Sequence, residues 1–334
     1  MNTPKPGPAR LRLKLFDAES DDGEIGLDEV ALDALSDQRL LWVDLEDNCG
    51  DDTAAVLEQL VARLQLHDGA EALRGFDGKP SLLNFDHWFL VQVVPVEATG
   101  KLQFEGRGLA IVCGRNFVAT LHRGPVDFID ELHERERGAS RIGSLRAESF
   151  TASLLDWHVD SYLQAVSLLE ADVDRLEVSV LSRNGDQECL PELAKLRRGA
   201  SRLRRMLAPH RHVFGSLARP DFRPNPDGLV GKEFRALELR FERAMDAVEM
   251  GRELVVGSFE LFTTRSAQRT NDTVRVLTFV TVLLGTLAVV AGVLGMNFQA
   301  PLFETGAFGF WMTIAAMALI AGLATLVARW RKWL

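Results

Sequence analysis

Charge is missing from two long stretches of this sequence. No Asp, Glu, Lys or Arg occurs from Val276 to Phe303, and none from Thr305 to Ala328. Each interval holds an apolar core of roughly 20 residues, the length that crosses a bilayer, so a wholly soluble chain is excluded. Cysteine is scarce: Cys49, Cys113 and Cys189 lie far apart and form no C-x-x-C unit, which argues against a disulfide framework and for a reducing compartment. There is no G-x-x-x-x-G-K-[ST] loop, so transport driven by ATP is unsupported. No H-x-x-x-H or H-E-x-x-H pattern occurs; His210 and His212 are read as surface or packing residues rather than metal ligands. No enzymatic activity is expected. The first residues, with Pro4, Pro6 and Pro8 ahead of Arg10, contain no apolar run of the kind a cleaved leader needs, and the bulk of the chain is expected to stay where it is made.

What is present divides into parts. The net charge is −9; the segment from Thr273 onward carries Arg275, Glu304, Arg329, Arg331 and Lys332, a balance of +3, which leaves −12 for the first 272 residues. An acidic region of that size disfavours nucleic acid and favours cations. Strands are expected over Arg10–Asp17, where basic and apolar residues alternate, over Leu40–Leu45, and over Asn116–His122. Trp88–Val96 and Leu102–Val112 read as β-rich runs around a turn at Gly100, Asp51–Leu66 as a helix, and a short helix follows Pro125. Residues 1–145 therefore read as an α/β domain.

From 146 to 230 the pattern is helical. Val159, Leu163, Val166, Leu169, Val173, Leu176 and Val180 step by four and three, a stripe suited to helix-on-helix packing, and Asn184-Gly185 breaks it. Pro191–Leu207 reads as a basic helix with Lys195, Arg197, Arg198, Arg202, Arg204 and Arg205, whose charges are expected to pair within the chain or with another subunit. After Pro220, Pro224 and Pro226, no proline occurs from Gly231 until Pro301. Phe234, Leu237, Phe241, Met245 and Val248 keep helical spacing, and the pattern runs into the first apolar stretch without a stop signal. One helix of that extent would be ~95 Å long, weakened locally at Gly251 and Gly257. The expected parts are a stalk over 231–272, a first span over 273–297, a loop over 298–307, a second span over 308–328 and a basic tail over 329–334.

Arg265, Arg269 and Arg275 precede the first span and Arg329, Arg331 and Lys332 follow the second, while residues 295–307 carry no Lys or Arg. The positive-inside rule places both ends in the cytoplasm and the loop outside. Trp311, Trp330 and Trp333 fit interfacial belts. Neither span contains an ionisable residue, which disfavours a proton relay or a charged pore wall. The first span does carry a face of small and weakly polar residues, Asn271, Val274, Thr278, Thr281, Gly285, Ala288 and Gly292, at spacings of three and four. Such a face serves close helix packing or a narrow pore wall. Two spans enclose no path alone, so conduction would require a symmetric oligomer with the path on its axis. Asn297 would then form a ring of amide oxygens at the outer mouth, suited to a cation that keeps its water, as Mg²⁺ does; Gly295 is expected to supply a left-handed turn at the helix end.

Gly295-Met296-Asn297, closing the first of two C-terminal spans after a long helix free of proline, resembles the signature of the CorA family of divalent-cation channels and transporters. Arg269-Thr270-Asn271-Asp272 with Val276-Leu277-Thr278 is similar to that family's approach to its pore helix, and Gly114–His122 to a strand of its cytoplasmic domain. Leu154–Leu181 resembles one of its long helices. The resemblance implies a homopentamer in a bacterial-type inner membrane, in contact with lipid, with an N-terminal cytoplasmic α/β/α domain and a pore lined by the first span. It implies no cofactor beyond the transported cation. Carried over by position, the pore residues are Asn271, Val274, Leu277, Gly285, Ala288, Gly292 and the Gly295-Met296-Asn297 signature, with Leu277 at a hydrophobic constriction. Thr286 and Ala288 depart from the family's mid-helix Pro and following Thr, and the loop has a single acid, Glu304. The ending Trp330-Arg331-Lys332-Trp333-Leu334 is similar to the zinc-transporting branch, so the features of the magnesium and zinc branches are mixed. Mg²⁺, with Co²⁺ or Ni²⁺, is the expected cargo. Zn²⁺ with proton coupling, or a membrane-anchored scaffold that conducts nothing, are the alternatives. Glu233, Glu238, Glu242 and Asp246 on the stalk are candidate acids for a regulatory cation held between subunits, with a solvated helix face as the alternative.

Overall fold

The computed structural model describes residues 9–331 apart from 20–21, 33–34, 37, 48–51, 75–77, 136–141, 182–185, 223–229 and 297–305. The chain forms two compact units, Met1–Ser179 with Gln187–Ser258, and Val180–Asp186 with Phe259–Leu334.

The first unit is built on a seven-stranded sheet. Its strands are β1 (Arg10–Asp17), β2 (Gly23–Glu24), β3 (Arg39–Asp47), β4 (Ser81–Asn84), β5 (Phe89–Val93), β8 (Leu109–Cys113) and β9 (Phe117–Arg123), in the order β2-β1-β3-β9-β8-β5-β4. Only β3 and β9 run parallel. The expected strand over 10–17 has those bounds, but the two expected β-rich runs each break. Pro95, which has no N–H to give a ladder, separates β5 from β6 (Val96–Gly100), and the second run splits into β7 (Gln103–Gly106) and β8. β6 and β7 form a separate hairpin.

Because strand residues alternate faces, the register assigns two environments to this sheet. One face carries Leu13, Val43, Leu45, Ala119, Val112 and Leu90, packed with Leu57, Leu60 and Val61 of α1 (Asp52–Arg63) and with Leu64 just after it in one apolar core. A further short helix, α2 (Ala70–Arg74), adds Leu73. The opposite face carries the polar half of the β1 alternation. Here Arg12 lies across from Asp44, and Asp44 beside Thr120. That face does not meet water: α3 (Asp127–Arg135) and the start of α4 (Ala147–Leu181) cover it, with His133 stacked on Trp42 at 3.9 Å and Phe150 edge-on to Trp42 at 5.7 Å. The result is the expected α/β/α layering.

The helical part follows its stripe. Val159, Val166, Leu169, Val173, Leu176 and Val180 of α4 are all buried. α5 (Asp186–Leu207) begins earlier than expected and takes Pro191 inside it, at the cost of one backbone hydrogen bond. α6 (Arg211–Leu217) follows. α7 runs unbroken from Val230 to Leu294, 65 residues, with Phe234, Leu237, Phe241 and Val248 buried and Ala244 in place of the expected Met245 at the core position. Gly251 lets α7 approach α4: a Cβ there would stand 3.4 Å from Leu169 and 3.5 Å from Val166. α8 (Gly306–Trp330) completes the second unit.

Candidate functional site

The C-terminal third of α7 and all of α8 are long and apolar enough to cross a membrane. In hydrocarbon every backbone N–H and C=O must be satisfied within the segment, which a continuous helix does even through a Val-, Thr- and Gly-rich sequence of modest helix propensity.

Burial along these two helices is periodic. In α7 the partly covered residues are Phe279, Leu283, Leu287, Val290 and Leu294; in α8 they are Gly309, Thr313, Met317, Ala321 and Ala324, followed by buried Ala328. Both series step by three and four, and they mark the faces along which the two helices of this hairpin meet. Apart from Met317, the α8 series is a small-residue stripe that the sequence reading overlooked; its three- and four-residue spacing of Gly, Thr and Ala was the available signal.

Asn271, Val274, Leu277, Thr278, Thr281, Gly285, Ala288 and Gly292 are all exposed. At 100° per residue their mean direction is opposite the face centred on Leu283 and Leu287. A Cβ added at Gly285 or at Gly292 would meet nothing within 4 Å. Packing within the chain therefore does not account for the small residues of this stripe. Its hydroxyls are not idle: Thr278 Oγ1 donates to the Val274 carbonyl and Thr281 Oγ1 to the Leu277 carbonyl, both at 2.8 Å. Each oxygen is left with lone pairs to offer and no proton to give. The stripe thus presents a neutral, weakly basic surface, ended on one side by Asn271 and the Asp272–Arg275 pair at 3.9 Å.

At the other end the helix closes differently from expectation. The Gly295 N–H reaches the Ala291 carbonyl at 2.9 Å and the Met296 N–H reaches Val293 at 3.3 Å, so the last turn tightens without a left-handed residue. Positive φ is found instead at Gly306, which opens α8. Met296 is exposed, and Asn297 lies outside the described residues.

Among the described residues of one chain, the candidate cytoplasmic acids form no cluster that could hold a metal ion. Glu242 is held by Arg211 in a two-pronged pair at 3.0 and 2.6 Å, and among the described residues no group of three or more His, Cys, Asp or Glu could hold a metal ion. Of the basic residues on α5, Arg204 pairs with Glu249 at 2.8 Å. Lys195, Arg197, Arg198, Arg202 and Arg205 are exposed and form no ion pair among the described residues. His212 is exposed beside Ser216, whereas His210 is buried, accepting from the Val94 N–H at 2.9 Å.

Against known proteins, residues 37–329 match the family model described as CorA-like Mg²⁺ transporter protein. The cobalt/magnesium transport protein CorA of Thermotoga maritima is 28% identical over 237 residues, which are 70% of this chain and 66% of that protein, just under two thirds. Among solved structures, the complete CorA magnesium transporter from Methanocaldococcus jannaschii superposes with a TM-score of 0.71 at 20% identity, covering 97% of this chain and 98% of that one. The full-length CmaX protein gives 0.68 at 22% identity, covering 98% and 100%. With the family model spanning most of its length, and with two apolar C-terminal helices after an α/β/α domain, the chain belongs to the CorA-like Mg²⁺ transporter family, whose members are divalent-cation transporters and not enzymes.

Proposed function

We propose that a homopentamer of this chain carries hydrated Mg²⁺ across the cell membrane along an axis lined by Asn271, Val274, Leu277, Thr281, Gly285, Ala288 and Gly292. The observation that carries the reading is the direction of that stripe: it faces away from the α7–α8 contact, and its glycines touch nothing in their own chain. A pore needs such a face, turned from the supporting helix and free of bulk, repeated around an axis. Leu277 supplies the narrow apolar ring. The signature Gly295-Met296-Asn297 closes the helix, and Asn297 offers amide oxygens to the water shell of the ion. Mg²⁺ suits this wall because it dehydrates reluctantly and prefers oxygen, and the wall offers neither thiolate nor imidazole. Co²⁺ and Ni²⁺ share enough of that chemistry to follow. Both ends of the chain face the cytoplasm and the 298–307 loop faces outward, by the distribution of Lys and Arg.

The test is flux into liposomes holding the purified protein, with Mg²⁺ and Zn²⁺ measured side by side, with and without a pH gradient. Mg²⁺ entry indifferent to the gradient, lost in Asn297→Ala, is the expected result. Zn²⁺ entry driven by the gradient would move the chain to proton-coupled zinc transport. Flux of neither ion would favour a membrane-anchored scaffold.

A further inference from the structure

The polar face of the sheet contains a charge the functional reading does not use. His122, on β9, is buried, and both of its ring nitrogens face acceptors: Nδ1 lies 2.6 Å from the Gly124 carbonyl oxygen and Nε2 lies 3.2 Å from Asp44 Oδ1. A neutral imidazole has one N–H and one lone pair, so it satisfies one of these oxygens and repels the other. Asp44 cannot relieve the conflict by taking the proton, because its carboxylate is already claimed as an acceptor. Arg12 donates to Oδ2 from Nε at 3.0 Å and from a terminal nitrogen at 2.7 Å, His133 Nε2 stands 3.2 Å from Oδ2, and Thr120 Oγ1 donates to Oδ1. Only a doubly protonated His122 makes every contact favourable.

The charges around it are consistent with that state. Arg12 on β1, Asp44 and Glu46 on β3, and Asp130 and His133 on α3 face this pocket of charge, and Arg12 also bonds Asp130 at 2.9 Å. Arg107 stands beside Gly124 and is itself paired with Glu97. Burial opposes a charged ring at His122, but the hydrogen bond and charge of Asp44, and then the Gly124 carbonyl, outweigh it and raise the affinity for the proton. Gly124 has φ +71°, a left-handed turn that aims its carbonyl back at the ring. The turn between β9 and α3 is thus tied to His122, and α3 is tied to the same carboxylate through His133 and, by way of Arg12, through Asp130.

We propose that His122 is an imidazolium at neutral pH that pins the β9–α3 turn to the sheet, and that its deprotonation breaks one of the ring's two ties and loosens the turn, making the N-terminal domain responsive to alkaline pH. The tie is complete below the ordinary histidine range near pH 6.5 and is lost as pH rises through the higher value that His122 has in the fold. Nothing in this depends on which cation the protein carries.

The full-length protein, labelled with ¹⁵N-histidine, tests it in two ways. At pH 7 the ring of His122, assigned by the signal lost in His122→Gln, should show two protonated nitrogens; one bare nitrogen would overturn the proposal. Backbone hydrogen exchange, corrected for its intrinsic pH dependence and referred to α1, should rise roughly tenfold or more over the turn at residues 123–127 between pH 6.5 and pH 9. A ratio that stays constant would overturn it as well. The exchange reading on the unsubstituted protein stands even if His122→Gln fails to fold.

Discussion

The sheet face of β1, β3 and β9 and the outer face of the first span are both polar stripes on elements whose other side is apolar, and they handle polarity in opposite ways. In the sheet, full charges are taken out of water and answered by partners brought from far along the chain: Asp44 meets Arg12 from 32 residues away, and Arg12 meets Asp130 from 118 away. In the span there are no charges between Val276 and Leu294, and each threonine hydroxyl is answered four residues back on its own helix. The difference teaches what each stripe tolerates. A network of distant partners fails when one member is removed, whereas a stripe satisfied locally can be rebuilt residue by residue without unfolding anything.

That contrast is sharpened first where the expected effect is largest. Gly285→Leu should reduce cation flux into liposomes at least roughly tenfold by filling the stripe. Its melting curve should shift little, because the side chain meets nothing in its own chain. Full flux in the variant would break the assignment of this face. Asp44→Ala should do the reverse. It strands Arg12 and His122 without their carboxylate and is expected to cost the N-terminal domain about 3–5 kcal/mol in denaturant unfolding. Next comes Gly143→Ala, where the added Cβ would stand 2.6 Å from the backbone of Asp17 and Ala18. About 1–3 kcal/mol should be lost in the same measurement, against almost nothing for Gly285→Ala.

The smallest effect has the opposite sign. His158 is buried with neither ring nitrogen bonded, beside His210 at 4.6 Å between centroids. His158→Phe should raise stability by about 1 kcal/mol at neutral pH, since it removes an unsatisfied polar group and keeps the ring. Burial lowers the proton affinity of both histidines, helped at His158 by His210; His210 is brought down to about 4. The unfolded chain therefore binds their protons first, and stability should fall as pH drops from about 6.5 towards about 4. The slope in a series of melts should be shallower in His158→Phe.

The elements that follow a local period were legible in the sequence: the strand at 10–17, the α4 stripe, the helix free of proline and the two spans. The exposed stripe proposed as a pore wall was legible as a face too, because a helix face repeats every three or four residues whatever packs on it. The ion network was not. An alternation of Arg and Leu reads the same whether the basic side meets water or buried carboxylates, and only the fold brings residues 12, 44, 122 and 133 together. The left-handed turn expected at Gly295 failed for a similar reason. A glycine at a helix end permits that conformation without requiring it, and here the backbone closes through Ala291 and Val293.

The two threonines of the stripe have a kinetic consequence. Their hydroxyl protons are already spent on carbonyls of their own helix, so these oxygens would meet a hydrated cation as acceptors for the outward-pointing protons of its water shell. On the proposed path an Mg²⁺ ion, which gives up its water reluctantly, would then move as an aquo complex. Throughput is then governed by the mobility of that complex and not by the slow exchange of its ligands. Such a wall would sort ions by hydrated size and charge, and not by how strongly a metal prefers sulfur or nitrogen.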